Sequence, residues 1–285
     1  MPILELTPER LEGLGEEIDT RGFRAGRYPF PDFLIVGPQR TGSSWLRTNL
    51  CKHPQVFMPF KKEIFFFSHL GRKEHKRYRS NRLEDYCGLF RIRLHKRLER
   101  AGKALCHGLL LPETIRGEAT ASYATMPEPF VRNIFAIYPG MKIVVMVRDP
   151  IERAWSHAKK ALVRDRGRRL EDIPFAEFEK YYRGSANLQR GMYSSIIGRW
   201  RSLAREGGVY VAEYRNLVDD PLGLVTEVQK FLGIASGPRF ARKHLHTVVN
   251  PTSREPAPPA HRELLEELFA AEIERLAAGF GIHFG

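Results

Sequence analysis

Short unbroken apolar blocks alternate along this chain with stretches whose residues suit helices. Phe33-Leu-Ile-Val36 is the first block; it stops at Gly37-Pro38, and beyond a polar loop Trp45-Leu-Arg-Thr-Asn-Leu50 suits a helix. Met141-Lys-Ile-Val-Val-Met-Val147, rich in β-branched residues, is the second; Arg148-Asp149-Pro150 follows, then helix-favouring residues from Ile151 to Val163. Val209-Tyr-Val-Ala-Glu-Tyr214 reads as a third strand, with a helix from Pro221 to Leu232 after it. The proline-rich run 250–259 excludes regular structure, whereas His261 to Ala278 places Leu264, Leu265, Leu268, Phe269, Ile273 and Leu276 at helical spacing. Thr7-Pro8-Glu9 offers an N-cap, a proline at the first helical position and an acid in the first turn, which predicts a short leading helix over 8–18 outside the core.

Fully apolar strands separated by helices predict an α/β fold: a P-loop-like parallel sheet flanked by helices, closed by the last helix, in a single domain over 1–285 with 1–30 as an N-terminal extension. The chain shows no internal repeat. Sheets of this kind bind ligands at the carboxyl ends of their strands, so the loops after Val36 and Val147 are where function is sought.

At 285 residues, 42% hydrophobic and 28% charged, the composition is that of a globular protein with a core. The first ten residues mix acids and bases without an apolar h-region, and no stretch approaches the ~20 apolar residues of a membrane span, so secretion and anchoring find no support. Cys51, Cys87 and Cys106 are irregularly spaced with no C-x-x-C pair, which predicts a reduced, cytoplasmic protein without a zinc site. A net charge of +13 points to phosphate, sulfate or polyanionic partners and names no chemistry. That charge is uneven: residues 71–103 hold twelve Lys/Arg against four acids, a basic helical segment that is a candidate cap over an acceptor site or a plain solvated face.

Gly37-Pro-Gln-Arg-Thr-Gly42-Ser43-Ser44 has the G-x-x-x-x-G frame of a P-loop, whose backbone N–H groups at a helix N-terminus make a nest for phosphate. The lysine that a nucleoside triphosphatase carries after the second glycine is Ser43 here, and the cation sits earlier, at Arg40, facing the edge of a single 5′-phosphate. That pattern argues against ATP or GTP.

Pro38-Gln-Arg40-Thr41-Gly42-Ser43-Ser44-Trp45-Leu46 resembles the 5′-phosphosulfate loop of the sulfotransferases that use 3′-phosphoadenosine 5′-phosphosulfate (PAPS), and the extra Gln39 is similar to the heparan-sulfate branch. Arg148-Asp-Pro-Ile-Glu-Arg-Ala-Trp-Ser156 resembles the family's 3′-phosphate motif, in which Arg148 and Ser156 hold that phosphate. An arginine fork at a strand end and a serine two turns into the following helix suit one anion. Lys61-Lys62-Glu63-Ile-Phe-Phe-Phe67 resembles the K-E-x-x-F-F segment of glycosaminoglycan-type sulfotransferases, which implies that Glu63 is the catalytic base. By residue type alone Glu63 is also a surface glutamate that neutralises Lys61 and Lys62.

Gly117-Glu-Ala-Thr-Ala-Ser-Tyr123 is similar to the family's G-E-[K/S]-T-P-S-Y stretch, with Ala121 in place of proline; Gly191-Met-Tyr193 resembles its G-x-Y element. Glu213-Tyr214 opens a Y-E-x-L-x-x-D-P-like run, where the resemblance sets Tyr214 against adenine and a strand-end core position explains it equally. Arg254 stands by position where the family has a basic loop closing over PAPS, or is a solvated loop arginine. The resemblance thus implies sulfuryl transfer from PAPS to a hydroxyl or amine of a carbohydrate or other small-molecule acceptor, an anionic one if the basic stretch recognises it, with Arg40, Thr41, Gly42, Ser43, Ser44, Trp45, Arg148, Ser156, Tyr193, Tyr214 and Arg254 holding the nucleotide, Arg40 and Glu63 acting on the reaction, and no metal or nucleic acid. A P-loop kinase using Asp149 for magnesium, and a non-enzymatic polyanion binder built on 71–103, are the rival readings.

Overall fold

The computed structural model of the chain describes residues 14–24, 28–110, 113–240, 245 and 255–284. Its strands are β1 (Phe33–Ile35), β2 (Val56–Phe57), β3 (Ile115–Ala119), β4 (Lys142–Val147) and β5 (Val209–Glu213), joined in one parallel sheet of order β2-β3-β1-β4-β5. β1 lies at the centre, with Phe33 beside Gly117 of β3 and beside Lys142 of β4. The helices are α1 (Ser43–Leu50), α2 (Leu83–Gly88), α3 (Leu94–Cys106), α4 (Glu128–Ile137), α5 (Pro150–Ala158), α6 (Phe175–Arg183), α7 (Ser185–Gln189), α8 (Tyr193–Leu203), α9 (Tyr214–Asp219), α10 (Pro221–Leu232) and α11 (Pro259–Phe280).

The period of two divides each apolar strand between two cores. Leu34, Val36, Ile143, Val145 and Val147 face Val131 and Ile134 of α4 and Trp200 of α8. Phe33, Ile35, Val144 and Met146 face Trp45 of α1 and Val225 of α10. A third cluster joins Trp155 of α5, Phe178 of α6 and Phe269 of α11 beyond the sheet edge. Each such side chain contributes about 1.5–3 kcal/mol when fully buried, so both faces of the sheet are committed to packing and only its carboxyl edge is left for chemistry.

Several elements differ from the expectations above. Residues 14–18 are turns and bends, so no helix runs through the described end of 8–18. The basic stretch is only partly helical: 71–82 is turn and irregular backbone before α2 and α3. After Ala158 the helix expected through Val163 widens into a π turn, Lys159–Val163. The third strand stops at Glu213, and Tyr214 begins a helix.

β2 and β3 lie outside the apolar blocks. β3 reads Ile-Arg-Gly-Glu-Ala, yet Arg116 and Glu118 are both buried. Arg116 donates to the Phe90 carbonyl at 3.3 Å, while Glu118 accepts from Tyr86 of α2 at 2.5 Å and from Thr120 at 2.6 Å. Hydrogen bonds thus replace apolar burial on that face of β3, which is how a polar sequence occupies an inner strand. Between them Gly117 is fixed by space: a Cβ there would stand 2.1 Å from the Phe33 ring.

Two outcomes follow from β3. Gly117→Ala forces that ring aside and is expected to cost about 1–3 kcal/mol, read as a lower urea midpoint at unchanged slope. Burial pushes the Glu118 carboxyl from 4.5 up to about 7, against the opposing hydrogen bonds from Thr120, Tyr86 and Tyr123. The folded state therefore favours the protonated acid, and this contribution is complete below about pH 4.5 and lost as pH rises through about 7. The stability advantage of wild type over Glu118→Gln in urea titrations is expected to shrink between pH 5 and pH 8; growth over that range would mean that the folded protein prefers the carboxylate.

Candidate active site

The loop between β1 and α1 folds around its own side chains. Thr41 is fully buried, and its hydroxyl donates to the Pro38 carbonyl at 2.8 Å. Arg40 and Gly42 both take left-handed backbone, with φ of 76° and 92°. At Gly42 a Cβ would approach Leu217 to 2.7 Å, so only glycine fits this turn. Trp45 points away, donating from its indole to the Leu245 carbonyl at 2.9 Å. Thr41 and Trp45, both expected to hold nucleotide, therefore use their side chains to build the loop, and what the loop offers a ligand is backbone N–H groups, Ser43 and Ser44.

The loop after β4 leans on the first. Arg148 donates from one Nη to the Arg40 carbonyl at 3.3 Å, pairs with Glu152 at 2.8 Å, and holds its guanidinium 4.4 Å from the Tyr214 ring centre. Arg40 reaches across in turn, its Nε donating to Ser156 at 2.9 Å. The two anion cradles read separately from the sequence are one continuous surface joined by Arg40. Tyr193 lies beneath it, fully buried, its hydroxyl accepting from the Arg148 N–H at 3.4 Å; burial pushes this phenol up to about 12. Asp149 caps α5, accepting from the N–H groups of Ile151 at 2.7 Å and Glu152 at 3.3 Å. That carboxylate is committed to a helix end, which speaks against the magnesium role of the kinase reading.

A third segment, after β2, closes the site from the other side. Lys62 donates from Nζ to Ser44 at 2.6 Å and to Ser43 at 3.4 Å, and its ammonium lies 3.3 Å from a Glu63 carboxylate oxygen. The other Glu63 oxygen accepts from the Ala121 N–H at 3.0 Å. Glu63 and Phe65 hold left-handed φ values of 62° and 66°. Strained backbone of this kind persists only where surroundings enforce it; here the Glu63 N–H donates to Ala119 and the Ile64 N–H to the Thr120 hydroxyl. Lys62 carries no distinguishing signal in the sequence, where it is one of two lysines beside Glu63. Its position restores to Ser43 and Ser44 the cation that the loop lacks. Burial lowers its pKa, with Glu63 opposing.

The assembled site presents Lys62, Ser43 and Ser44 at one end, Arg148 and Ser156 at the other, and Arg40 between. Burial, then the charges of Arg164 and Arg148, lower the Arg40 pKa. A ligand with two anionic groups fits this donor set, and Glu63 is the acceptor beside it. Arg254 lies outside the described residues.

A model of the sulfotransferase family matches residues 31–237. Heparan sulfate glucosamine 3-O-sulfotransferase 3B1 of Mus musculus is 28% identical over 222 residues, covering 74% of this chain and 48% of that protein. Bifunctional heparan sulfate N-deacetylase/N-sulfotransferase 4 of Mus musculus is 27% identical over 227 residues, 72% of this chain and 22% of that protein. The chain spans about half or less of the length of these curated relatives. Among solved structures, a sulfotransferase from Alicyclobacillus acidocaldarius superposes with a TM-score of 0.60 at 27% identity, over 90% of this chain and 97% of that one. Mouse sulfotransferase SULT7A1 complexed with PAP, at 16% identity and a TM-score of 0.51 over 96% and 90% of the two chains, shares the fold. With the family model matching from before β1 to beyond α10, this chain belongs to the sulfotransferase family.

Proposed function

We propose that the protein transfers the sulfuryl group of PAPS to a hydroxyl or amine of an acceptor. One observation carries the reading: Lys62 contacts both the serines of the phosphate loop and the carboxylate of Glu63, so a donor cradle and a base meet at a single ammonium. In this reading the 5′-phosphosulfate lies against the N–H groups after Gly37, Ser43, Ser44 and Lys62. The 3′-phosphate takes Arg148 and Ser156, with Arg40 between the two and Tyr214 beside the adenine.

Glu63 takes the acceptor proton as the acceptor oxygen or nitrogen attacks sulfur. The bond from sulfur to the bridging oxygen breaks, and that oxygen leaves on adenosine 3′,5′-bisphosphate (PAP), its charge met by Lys62, Arg40 and the loop amides. The proton on Glu63 then passes to solvent. The names of the relatives support the reaction, and the PAP in the SULT7A1 structure supports the nucleotide. We place the protein in the cytoplasm, since Cys51, Cys87 and Cys106 are all free thiols.

Two variants separate the roles. Glu63→Gln is expected to lower turnover with PAPS by about 10²–10⁴-fold while calorimetry shows unchanged PAP affinity; full turnover would remove Glu63 from the base role. Arg148→Glu is expected to weaken PAP binding by about a hundredfold or more, since a charge-assisted contact becomes a repulsion. Unchanged affinity in that variant would remove the nucleotide reading itself.

A further inference from the structure

Phe60 is fully exposed and Leu89 is 45% exposed, although both are large and apolar. Both belong to the wall of one cavity of about 720 Å³, in the size range of small-molecule sites. Ile64, Phe65 and Phe66 come to that wall from the segment that carries Glu63, and Tyr86 comes from α2 in the basic stretch. The polar members of the wall are unevenly charged. Lys61, Arg79, Arg91 and Arg93 line it against one acid, Asp85, whose carboxylate already accepts from the Ser80 hydroxyl at 2.6 Å. Arg91 lies over the Tyr28 ring at 4.6 Å, and Arg79 donates to the carbonyls of Lys76 and Tyr78, contacts with an aromatic face and with neutral carbonyls that do not cancel either charge.

An apolar interior rimmed by four cations suits one kind of occupant. The occupant needs an apolar body to cover Phe65, Phe66 and Leu89, and an anionic group to meet the arginines. A saccharide chain stacks only its C–H faces on such rings and must desolvate hydroxyls along its whole length, so it covers Phe65, Phe66 and Leu89 less completely than an aromatic ring does. The cavity also adjoins the chemistry: Lys61, Ile64 and Phe65 flank Glu63 in the chain, and Glu63 itself stands outside the wall. An acceptor filling the cavity would therefore reach Glu63 only with a group that projects past its rim.

We infer that this cavity is the acceptor site, and that the acceptor is a compact amphiphile: a ring-sized apolar body with a carboxylate or sulfonate held by the arginines, and a hydroxyl or amine extending to Glu63. The inference rests on the sulfotransferase reading above and replaces its general acceptor with a chemical class.

The test uses the full chain saturated with PAP and three probes: 6-hydroxy-2-naphthoate, the neutral 2-naphthol, and a heparin tetrasaccharide. Binding of the naphthalenes is followed by their fluorescence and that of the tetrasaccharide by calorimetry, with PAP affinity measured separately for each variant. The naphthoate is expected to bind about tenfold or more tightly than naphthol, the weight of one hydrogen bond to a charged group. Arg79→Gln, Arg91→Gln and Arg93→Gln together should reduce that advantage several-fold or more and leave naphthol binding in place. Leu89→Trp, a substitution at an exposed position that fills the rim, should weaken both naphthalenes. Equal affinity for the two naphthalenes, tighter binding of the tetrasaccharide, or indifference to Leu89→Trp overturns the proposal. Loss of PAP binding in the wild type overturns the enzyme reading instead, so the two failures are distinct.

Discussion

The site depends on cations held closer together than their mutual repulsion favours. Arg40 and Arg148 are in contact through the Arg40 carbonyl, Arg164 adds its charge nearby, and Lys62 sits on the same loop from the other side. Parallel pairing enforces this arrangement: β1 and β4 are neighbours in register, so the segments that follow them emerge at one edge. Partial compensation comes from Glu152 on Arg148 and Glu63 on Lys62. An anion bound among these cations would relieve the rest, and with it an energetic liability of the free chain would become a source of affinity.

A second polar system supports Glu63 from behind. Tyr86 in α2 donates to Glu118 at the end of β3, Thr120 donates to the same carboxyl, and the Thr120 hydroxyl accepts from the Ile64 N–H. The left-handed residues Glu63 and Phe65 flank that last contact. A buried carboxyl satisfied by hydroxyls thus fixes the segment on which Glu63 is carried, while Glu63 itself binds the N–H of Ala121. Such networks hold a geometry well only when each member is satisfied, which explains why polar residues occupy an inner strand next to the reaction edge.

Legibility in the sequence followed the physical signal. β1, β4 and α10 carry unbroken apolar or capped patterns, and α10 spans the expected Pro221–Leu232. The glycine frame after β1 was legible because a tight turn restricts residue choice locally, while Arg148 and Ser156 stood out through the family resemblance of their motif. β3 was hidden because Arg116 and Glu118 are buried by hydrogen bonds, which leave no trace in a hydrophobic pattern. Lys62 was hidden because its partners, Ser43 and Ser44, lie eighteen or more residues away. The same distance problem concealed the Arg40 to Ser156 contact, which spans 116 positions and merges two motifs that looked independent.

The basic stretch shows why donor chemistry is readable where acceptor chemistry is not. As a sequence it is one run of charge, yet the fold divides it. Lys96 and Lys103 in α3 are both paired with Glu99 on an exposed helix, the ordinary solvated arrangement. Arg100 is spent on the carbonyl of Pro54 at 2.6 Å. Arg79, Arg91 and Arg93 instead join aromatic side chains from a different segment around a cavity. Glu99 marks the first group locally, three and four residues from its lysines, whereas the second group is gathered by tertiary packing that includes the docking of α2 on β3 through Tyr86 and Glu118. Phosphate-type loops are local, with residue types fixed by backbone geometry, whereas a cavity wall assembled from distant segments, such as the acceptor wall proposed above, is free to vary beside the same loops. A family motif therefore carries the transferred group with it and leaves the recipient to the packing of each chain.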